Sequence, residues 1–328
     1  MAARLEPSPG AHSPTLVDLR QLGSEDLNPM LDEEIAAWRD LLDWDFHKSA
    51  DLVRRFVDMR SLNGYALVED GEAAGYAYYV QEDHKGLIGD LFVRAARRSA
   101  ENENLLLESV LGALTSAPHV ARIESQLMMT RPPPLAEMPL ARHLRGFERN
   151  FMMLDLERAA LGPSRRVPGG NRVYLERWSD HFHEPTAQLI AAAYEGHVDS
   201  QINDQYRSIG GARRFLFNIV EYPGCGTFFK PASLAAFERI SGRICGVCLA
   251  SLVMPYCGHI TQICTAPGVR GAGVGYEMLR QSLELLRQAG CRKTSLTVTA
   301  CNREAIRLYE QVGFETIRKF FAYVWEGF

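Results

Sequence analysis

The 328-residue chain has no run of 18 or more apolar residues, so no membrane-spanning helix is expected. It also lacks an excess of charge of either sign. Forty acidic side chains face 36 basic ones, for a net charge of −4. That balance argues against a sequence-independent nucleic-acid binder, which needs a basic face to neutralise phosphates. No cysteine precedes Cys225; the seven are Cys225, Cys245, Cys248, Cys257, Cys264, Cys291 and Cys301. Their odd number and apolar, strand-like surroundings argue against a disulfide framework. They point to buried free thiols in a reducing, cytoplasmic setting. Cys245 and Cys248 form a C-x-x-C inside a strand pattern, where residues three apart point to opposite faces. A shared metal is therefore not expected. The opening MAARLEPSPGAHSP has no apolar stretch, so no secretory signal is expected.

Apolar residues make up 46% of the chain, enough for two cores, and the length fits two domains of roughly 150 residues each. Residues 1–13, rich in Pro, Ser and Ala, read as a disordered tail. The Gly, Pro and Arg residues over 161–171 read as a linker. The segments on either side, 14–160 and 172–328, look alike. Gly75 and Gly246, and Gly146 and Gly313, stand at similar offsets inside similar patterns, a weak repeat at domain scale. Each half reads as strand, helices, three strands, helix, strand, helix, strand: a mixed α/β sheet with helices on both faces. The helix after Gly273 sets Glu277, Arg280, Gln281, Glu284, Arg287 and Gln288 against Met278, Leu279, Ser282, Leu283, Leu286 and Ala289. Gly290 is its stop, and Asn302 caps the next helix.

The sharpest chemical feature follows a strand and a Pro-Gly turn: Arg270, Gly271, Ala272, Gly273, Val274 and Gly275 open a helix. Glycines let a ligand approach the backbone, and the helix start offers unpaired N–H groups to an anion. The loop is not a dinucleotide fingerprint, since no acidic residue follows about 20 residues on at a second strand end. Without a Gly-Lys-Ser/Thr it is not a Walker loop either.

Arg270-x-x-Gly273-x-Gly275, preceded by Thr265-Ala266-Pro267, resembles the R/Q-x-x-G-x-G/A motif of the GNAT acetyltransferases. Asn302, Ala305, Leu308 and Tyr309, followed by Gly313-Phe314, resemble that family's second conserved stretch in order and spacing. The resemblance covers about residues 172–328. It implies a mixed, mostly antiparallel sheet flanked by helices. It also implies transfer of an acetyl or other acyl group from acyl-CoA to a primary amine, in a ternary complex without metal. The coenzyme pyrophosphate would then lie on Gly271, Ala272, Gly273, Val274 and Gly275, with Arg270 nearby. The strand of Ile263, Cys264 and Thr265 would splay from its neighbour and offer N–H groups to the pantetheine arm. Asn302 either contacts the coenzyme or is only a helix cap. Tyr309 stands where many members carry a phenolic acid for the departing thiolate; it also sits on the apolar face of its helix.

An attacking amine must lose a proton, since its pKa is roughly 10. His259 is the candidate base, because strict alternation puts it on the face of Thr261, Ile263 and Thr265; a solvent-exposed His at a strand start is the other reading. Glu195, Asp199 and Asp204 are candidate partners for a small-molecule or peptide amine. His181 and His183 read as surface residues. In the first half, with Val93 aligned on Thr265, Glu101 and Glu103 replace Gly273 and Gly275; with Gly146 aligned on Gly313, Arg142 stands where Tyr309 does. That half reads as a degenerate copy that has lost the coenzyme. A non-catalytic acyl-CoA sensor or partner-docking protein is the alternative to an enzyme. Neither nucleic acid nor membrane is an expected partner.

Overall fold

The structure, a computed structural model, describes residues 14–130, 134–162, 173–222 and 224–328. The expected tail and nearly all of the expected linker lie outside them. The chain divides into two compact units. One comprises residues 1–37, 50–144 and 325–328; the other comprises 38–49 and 145–324.

The first unit contains strands β1 (Thr15–Asp18), β2 (Asn63–Glu69), β3 (Glu72–Glu82), β4 (Lys85–Val93) and β5 (Arg122–Leu127), in that spatial order. Helix α1 is Ser24–Leu42, α2 is His47–Asp58 and α3 is Ala100–Thr115. Neighbouring strands are antiparallel except β4 and β5, which run parallel. Between Tyr78 and Tyr79 the register of β3 skips Gly89 on β4, a one-residue bulge. The Tyr78 ring fills the space beside that bulge: a Cβ on Gly89 would fall 2.1 Å from it. Tyr76 is wholly buried and donates to Glu34 Oε2 at 2.9 Å. The helix expected before the last strand of this half does not form among the described residues. Short 3₁₀ turns at Leu135–Glu137 and Ala141–His143 stand in its place. Pro132, Pro133, Pro134 and Pro139 explain this, because proline removes helix donors and clashes with the preceding turn.

The second unit repeats the strand pattern. Its strands are β6 (Leu144–Asp155), β7 (Val173–Arg177), the two-residue β8 (Thr227–Phe228), β9 (Leu234–Glu238), β10 (Ile244–Met254), β11 (Cys257–Thr265), β12 (Lys293–Thr299) and β13 (Glu315–Glu326). Its helices are α4 (His183–Ala193), the single turn α5 (Asp199–Ile202), α6 (Ile209–Glu221), α7 (Val274–Gln288) and α8 (Arg303–Val312). The sheet order is β7-β9-β10-β11-β12-β6-β13, with β8 on β10. β11 and β12 run parallel, whereas β7–β9, β9–β10, β10–β11 and β12–β6 are antiparallel. One core lies between the sheet and α7 and α8, around Met278, Leu279, Leu283, Leu286 and Ile306. A second lies under α4 and α6, around Ile190, Leu216, Val247 and Leu249. Helix α7 buries the side chains its periodicity selects, except that Ala289 is exposed at the cap. Gly290, at φ +95, supplies the left-handed stop.

Two departures from strict alternation reshape the faces. A register shift between Ile244 and Gly246 puts an extra residue, Cys245, into β10. Cys245 and Cys248 consequently join the same core cluster instead of opposite faces. Burial pushes their thiols up to about 11 and about 12, so both stay protonated. The second shift inserts Thr261 into β11.

Strand β6 belongs to the first sequence half yet lies in the second unit. It pairs antiparallel with β12 along seven residues, from Lys293 opposite Asp155 to Thr299 opposite Arg149. Residues 38–49 also pack there: Asp45 N–H donates to Val253 O at 2.8 Å, and Lys293 Nζ reaches Asp43 Oδ2 at 2.7 Å. A fragment of residues 165–328 therefore lacks a strand of its own sheet and leaves an edge of β12 without its partner. We expect that fragment to be poorly soluble and to unfold at lower temperature than the full chain. A soluble fragment with the parent's melting temperature would overturn this.

Candidate active site

Beyond Ile260 and Leu296 the parallel pairing of β11 and β12 stops, although β11 runs on to Thr265 and β12 to Thr299. The cause lies in β11. Ala250 pairs with Ile260 and Leu249 with Gln262, so Thr261 is an inserted residue. Bulges bend the strand that carries them. The two strands part, and a cleft of about 920 Å³ opens between them. Its walls come from β11, β12, α7, α8, the end of α4 and the 194–206 segment, with Arg149 from β6.

At one end lies the glycine loop. Gly271 and Gly273 have φ of +73 and +81, a region that side-chain-bearing residues rarely enter. Gly273 is the N-cap of α7 and brings no side-chain acceptor to the first-turn N–H groups. A Cβ on Gly275 would meet nothing closer than 3.9 Å, so packing alone does not demand glycine there. Uncapped donors, the positive helix end and free space beside Gly275 together fit a phosphate group. Arg270, Gly271, Gly273, Val274 and Gly275 line the cleft; Ala272 does not. The Arg270 guanidinium is turned to Ala193 O at 2.6 Å, fastening the loop to the C-terminal end of α4.

Ile263, Cys264 and Thr265 line the cleft from β11. Burial pushes the Cys264 thiol up to about 12, so it stays protonated. From α8 come Ala305, Leu308 and Tyr309. Tyr309 is 6% exposed, and its phenol is held well above the ordinary value, first by burial and then by nearby Cys248 and Asp199, while Arg149 opposes. It is a neutral O–H donor at physiological pH. Asn302 has two contacts: its Oδ1 accepts Ala305 N–H at 3.2 Å as helix cap, and its Nδ2 faces His197 Nε2 at 3.2 Å.

The cleft also has a polar wall that sequence reasoning only touched. Tyr194 and Tyr206 stack with ring centroids 4.3 Å apart. Gln262, 4% exposed, donates to the Tyr194 hydroxyl at 3.0 Å. His197 Nδ1 receives the Asp199 N–H at 3.1 Å. Asp199 Oδ1 accepts the Thr299 hydroxyl and lies 3.9 Å from Arg149 Nη1. Of the three candidate acceptor carboxylates, Asp199 lines the cleft. Glu195 is exposed on the turn at Gly196, and neither it nor Asp204, in the following 3₁₀ turn, lines it. His197, Arg149, Tyr194, Tyr206 and Gln262 were not anticipated. Gln262 sat inside the strand already identified, whereas Arg149 lies more than 100 residues from the motifs.

His259 does not line the cleft. The extra residue at Thr261 reverses the alternation, which puts His259 on the face of Gln262 and Cys264 and not on that of Ile263 and Thr265. It is 5% exposed, 5.0 Å from the Trp44 ring and 6.2 Å from Phe151, with Nδ1 2.8 Å from Ser295 Oγ. Burial lowers its pKa to about 3. The solvent-exposed alternative is also excluded: this is a neutral core histidine.

Residues 199–314 match the model of the acetyltransferase (GNAT) family. Over that segment the chain is similar to the GNAT acetyltransferases. It is 26% identical to a mycothiol acetyltransferase of Thermomonospora curvata, over 75% of this chain and 77% of that protein. Among solved structures, a GCN5-related N-acetyltransferase from Sphaerobacter thermophilus aligns with a TM-score of 0.67 at 19% identity, covering 95% of each chain. A tandem GNAT protein from the clavulanic acid biosynthesis pathway aligns at 0.59 and 16%, covering 96% and 98%. These likenesses span nearly the whole chain, and the fold is that of two GNAT-like domains.

The His259 environment predicts a pH effect on stability. Unfolded His titrates near 6.5, folded His259 near 3, so between those values the unfolded chain binds the extra proton. The contribution is complete above about pH 6.5 and is lost on acidification, by up to about 1.4 kcal/mol per pH unit below it. Urea unfolding of the parent and His259→Gln between pH 7 and 4.5 should show a shallower loss in the variant. Parallel profiles would count against a neutral buried imidazole.

Proposed function

We propose that the protein is an N-acyltransferase that moves an acetyl group from acetyl-CoA to the primary amine of a small molecule, using the cleft of the C-terminal unit. The observation that carries this reading is the uncapped glycine loop joined by one cleft to the Tyr309 phenol. Acetyl-CoA, when bound, supplies the thioester and the thiolate leaving group. The N–H groups from Gly271 to Gly275 would hold its pyrophosphate, and the backbone of Ile263, Cys264 and Thr265, beyond the last β11–β12 pair, would face its pantetheine arm. Asn302 fixes the start of α8 and with it the position of Tyr309. Tyr309 donates the proton that the departing thiolate takes as the C–N bond forms and the C–S bond breaks. With His259 out of reach, His197 and Asp199 are the groups that take the amine's proton, directly or through water. The relative's name, mycothiol acetyltransferase, supports a small-molecule acceptor. Binding without turnover, as in a sensor, is separated from catalysis by thiol release across an amine panel.

We expect one coenzyme site per chain. In the N-terminal unit the matching helix α3 is capped by its own Ser99, whose Oγ accepts Asn102 N–H at 3.1 Å, and carries Glu101 and Glu103 in its first turn. Gly273→Glu in the C-terminal loop puts a strained side chain and a negative charge where phosphate would lie. Calorimetry should read one site in the parent and none in the variant. Two equivalent sites, or unchanged affinity in the variant, would sink the assignment.

Tyr309→Phe keeps the ring in its core position, 6.0 Å from Phe314, and removes only the proton donor. Coenzyme affinity should hold, and kcat should fall by roughly 10² or more. The fall should be smaller with an acyl donor whose thiol is more acidic. A kcat within about twofold of the parent, well below the general-acid scale, would return Tyr309 to a packing role.

A further inference from the structure

In the polar wall of the cleft Arg149 and Asp199 stand side by side, both largely desolvated. The Arg149 side chain is 11% exposed and that of Asp199 15%. Among the described residues Arg149 makes one hydrogen bond, from Nη2 to Thr297 Oγ1 at 3.3 Å, and its buried Nε has no acceptor. Its Nη1 stays 3.9 Å from Asp199 Oδ1, beyond hydrogen-bond range. A guanidinium offers five donors in a planar fork, so most of this fork's capacity is unused. Asp199 spends Oδ1 on Thr299, while Oδ2 lies 3.8 Å from His197 Nδ1. Both charges therefore have room for a ligand. Both also reach the Tyr309 and Tyr206 phenols, where Asp199 raises and Arg149 lowers the pKa behind the main effect of burial.

We propose that the acceptor carries a carboxylate beside its reactive amine, as a free α-amino acid does, with the carboxylate on Arg149 and the amine facing Asp199. This deepens the acyl-transfer reading and rests on it. The argument is one of charge pairing. An ammonium group alone, drawn to Asp199, meets the repulsion of Arg149. A carboxylate alone, drawn to Arg149, meets Asp199. A zwitterion answers each charge with its opposite and completes the guanidinium's donors bidentately, which a lysine could not do. Tyr194 and Tyr206 supply a flat wall beside it, and Thr297 and Thr299 keep the two charged groups in place. The amine nitrogen forms the bond to the acyl carbon and releases one proton to the His197–Asp199 side. The leaving thiolate takes its proton from Tyr309. Arg149 is a substrate-positioning residue here, supplied by the first sequence half through β6.

Thiol release from saturating acetyl-CoA would be measured with glycine, alanine, serine and phenylalanine, each beside its α-carboxamide and its decarboxylated amine. We expect kcat/KM for the free acids to exceed that for the carboxamides at least tenfold. In Arg149→Gln the ratio should collapse to within about twofold, chiefly through KM. Arg149→Lys should keep part of the preference. Acetyl-CoA affinity, read by calorimetry, reports whether each variant is folded, and the parent's own preference stands independently of them. A parent that acylates carboxamides and plain amines as well as the free acids overturns this proposal while leaving acyl transfer intact. Acetyl-CoA binding with no thiol release to any amine overturns both.

Discussion

Parallel strands β11 and β12 share a register only as far as Ile260 and Leu296, because the extra residue at Thr261 turns β11 aside. The other features of the site follow from that parting. It opens the cleft, and it leaves the strand edge of Ile263, Cys264 and Thr265 facing into it. The α7 N-terminus, entered from β11 through the glycine loop, closes one end, and α8, entered from β12, brings Asn302 and Tyr309 to its wall. A sheet paired to its end would have spent these backbone groups on its own ladder.

The strand that supports β12 on its other side is not local in sequence. β6 sets Phe151 opposite Thr297 and Arg149 opposite Thr299, and Arg149 thereby reaches the cleft. Trp44, from the segment 38–49, covers His259 in the same unit. The first sequence half therefore does more than repeat a fold. It provides a strand, an aromatic cover and a charged side chain to the unit that carries the glycine loop.

Much of this was legible in the sequence for identifiable reasons. The glycine loop, the amphipathic face of α7, its Gly290 stop and the Asn302 cap are local features, each encoded within a few residues. The positions of Cys245 and His259 were not legible, because a bulge leaves no mark in an alternating apolar pattern and reverses every side chain beyond it. Arg149 and Asp199 were hidden differently: one lies on β6 and the other on α5, and only the folded sheet brings them within 3.9 Å. Asp199 could be named as one carboxylate among three, but nothing in its own segment set it apart from Glu195 and Asp204.

The two units show how small the step is between a helix N-terminus that is open to a ligand and one that is not. Both units carry a bulge at the same place in the strand before the helix, Gly89 in one and Thr261 in the other. In the first unit the Tyr78 ring lies against the bulge, Arg98 is spent on Val93 O, and Ser99 caps the first turn of α3. The Tyr78 ring thus fills the space, the Arg98 and Ser99 contacts use donors that a bound anion would otherwise take, and Glu101 and Glu103 add repulsion. In the second unit the N-cap is a glycine in the left-handed region, with no side chain to offer, and the position two residues on is open. Glycine in place of serine at an N-cap costs a helix only about a few tenths of a kcal/mol, so the second unit leaves the first-turn donors of α7 open at little cost to stability. The same openness recurs in the guanidinium of Arg149, whose Nε is buried without an acceptor, and these two places are where the proposed binding rests.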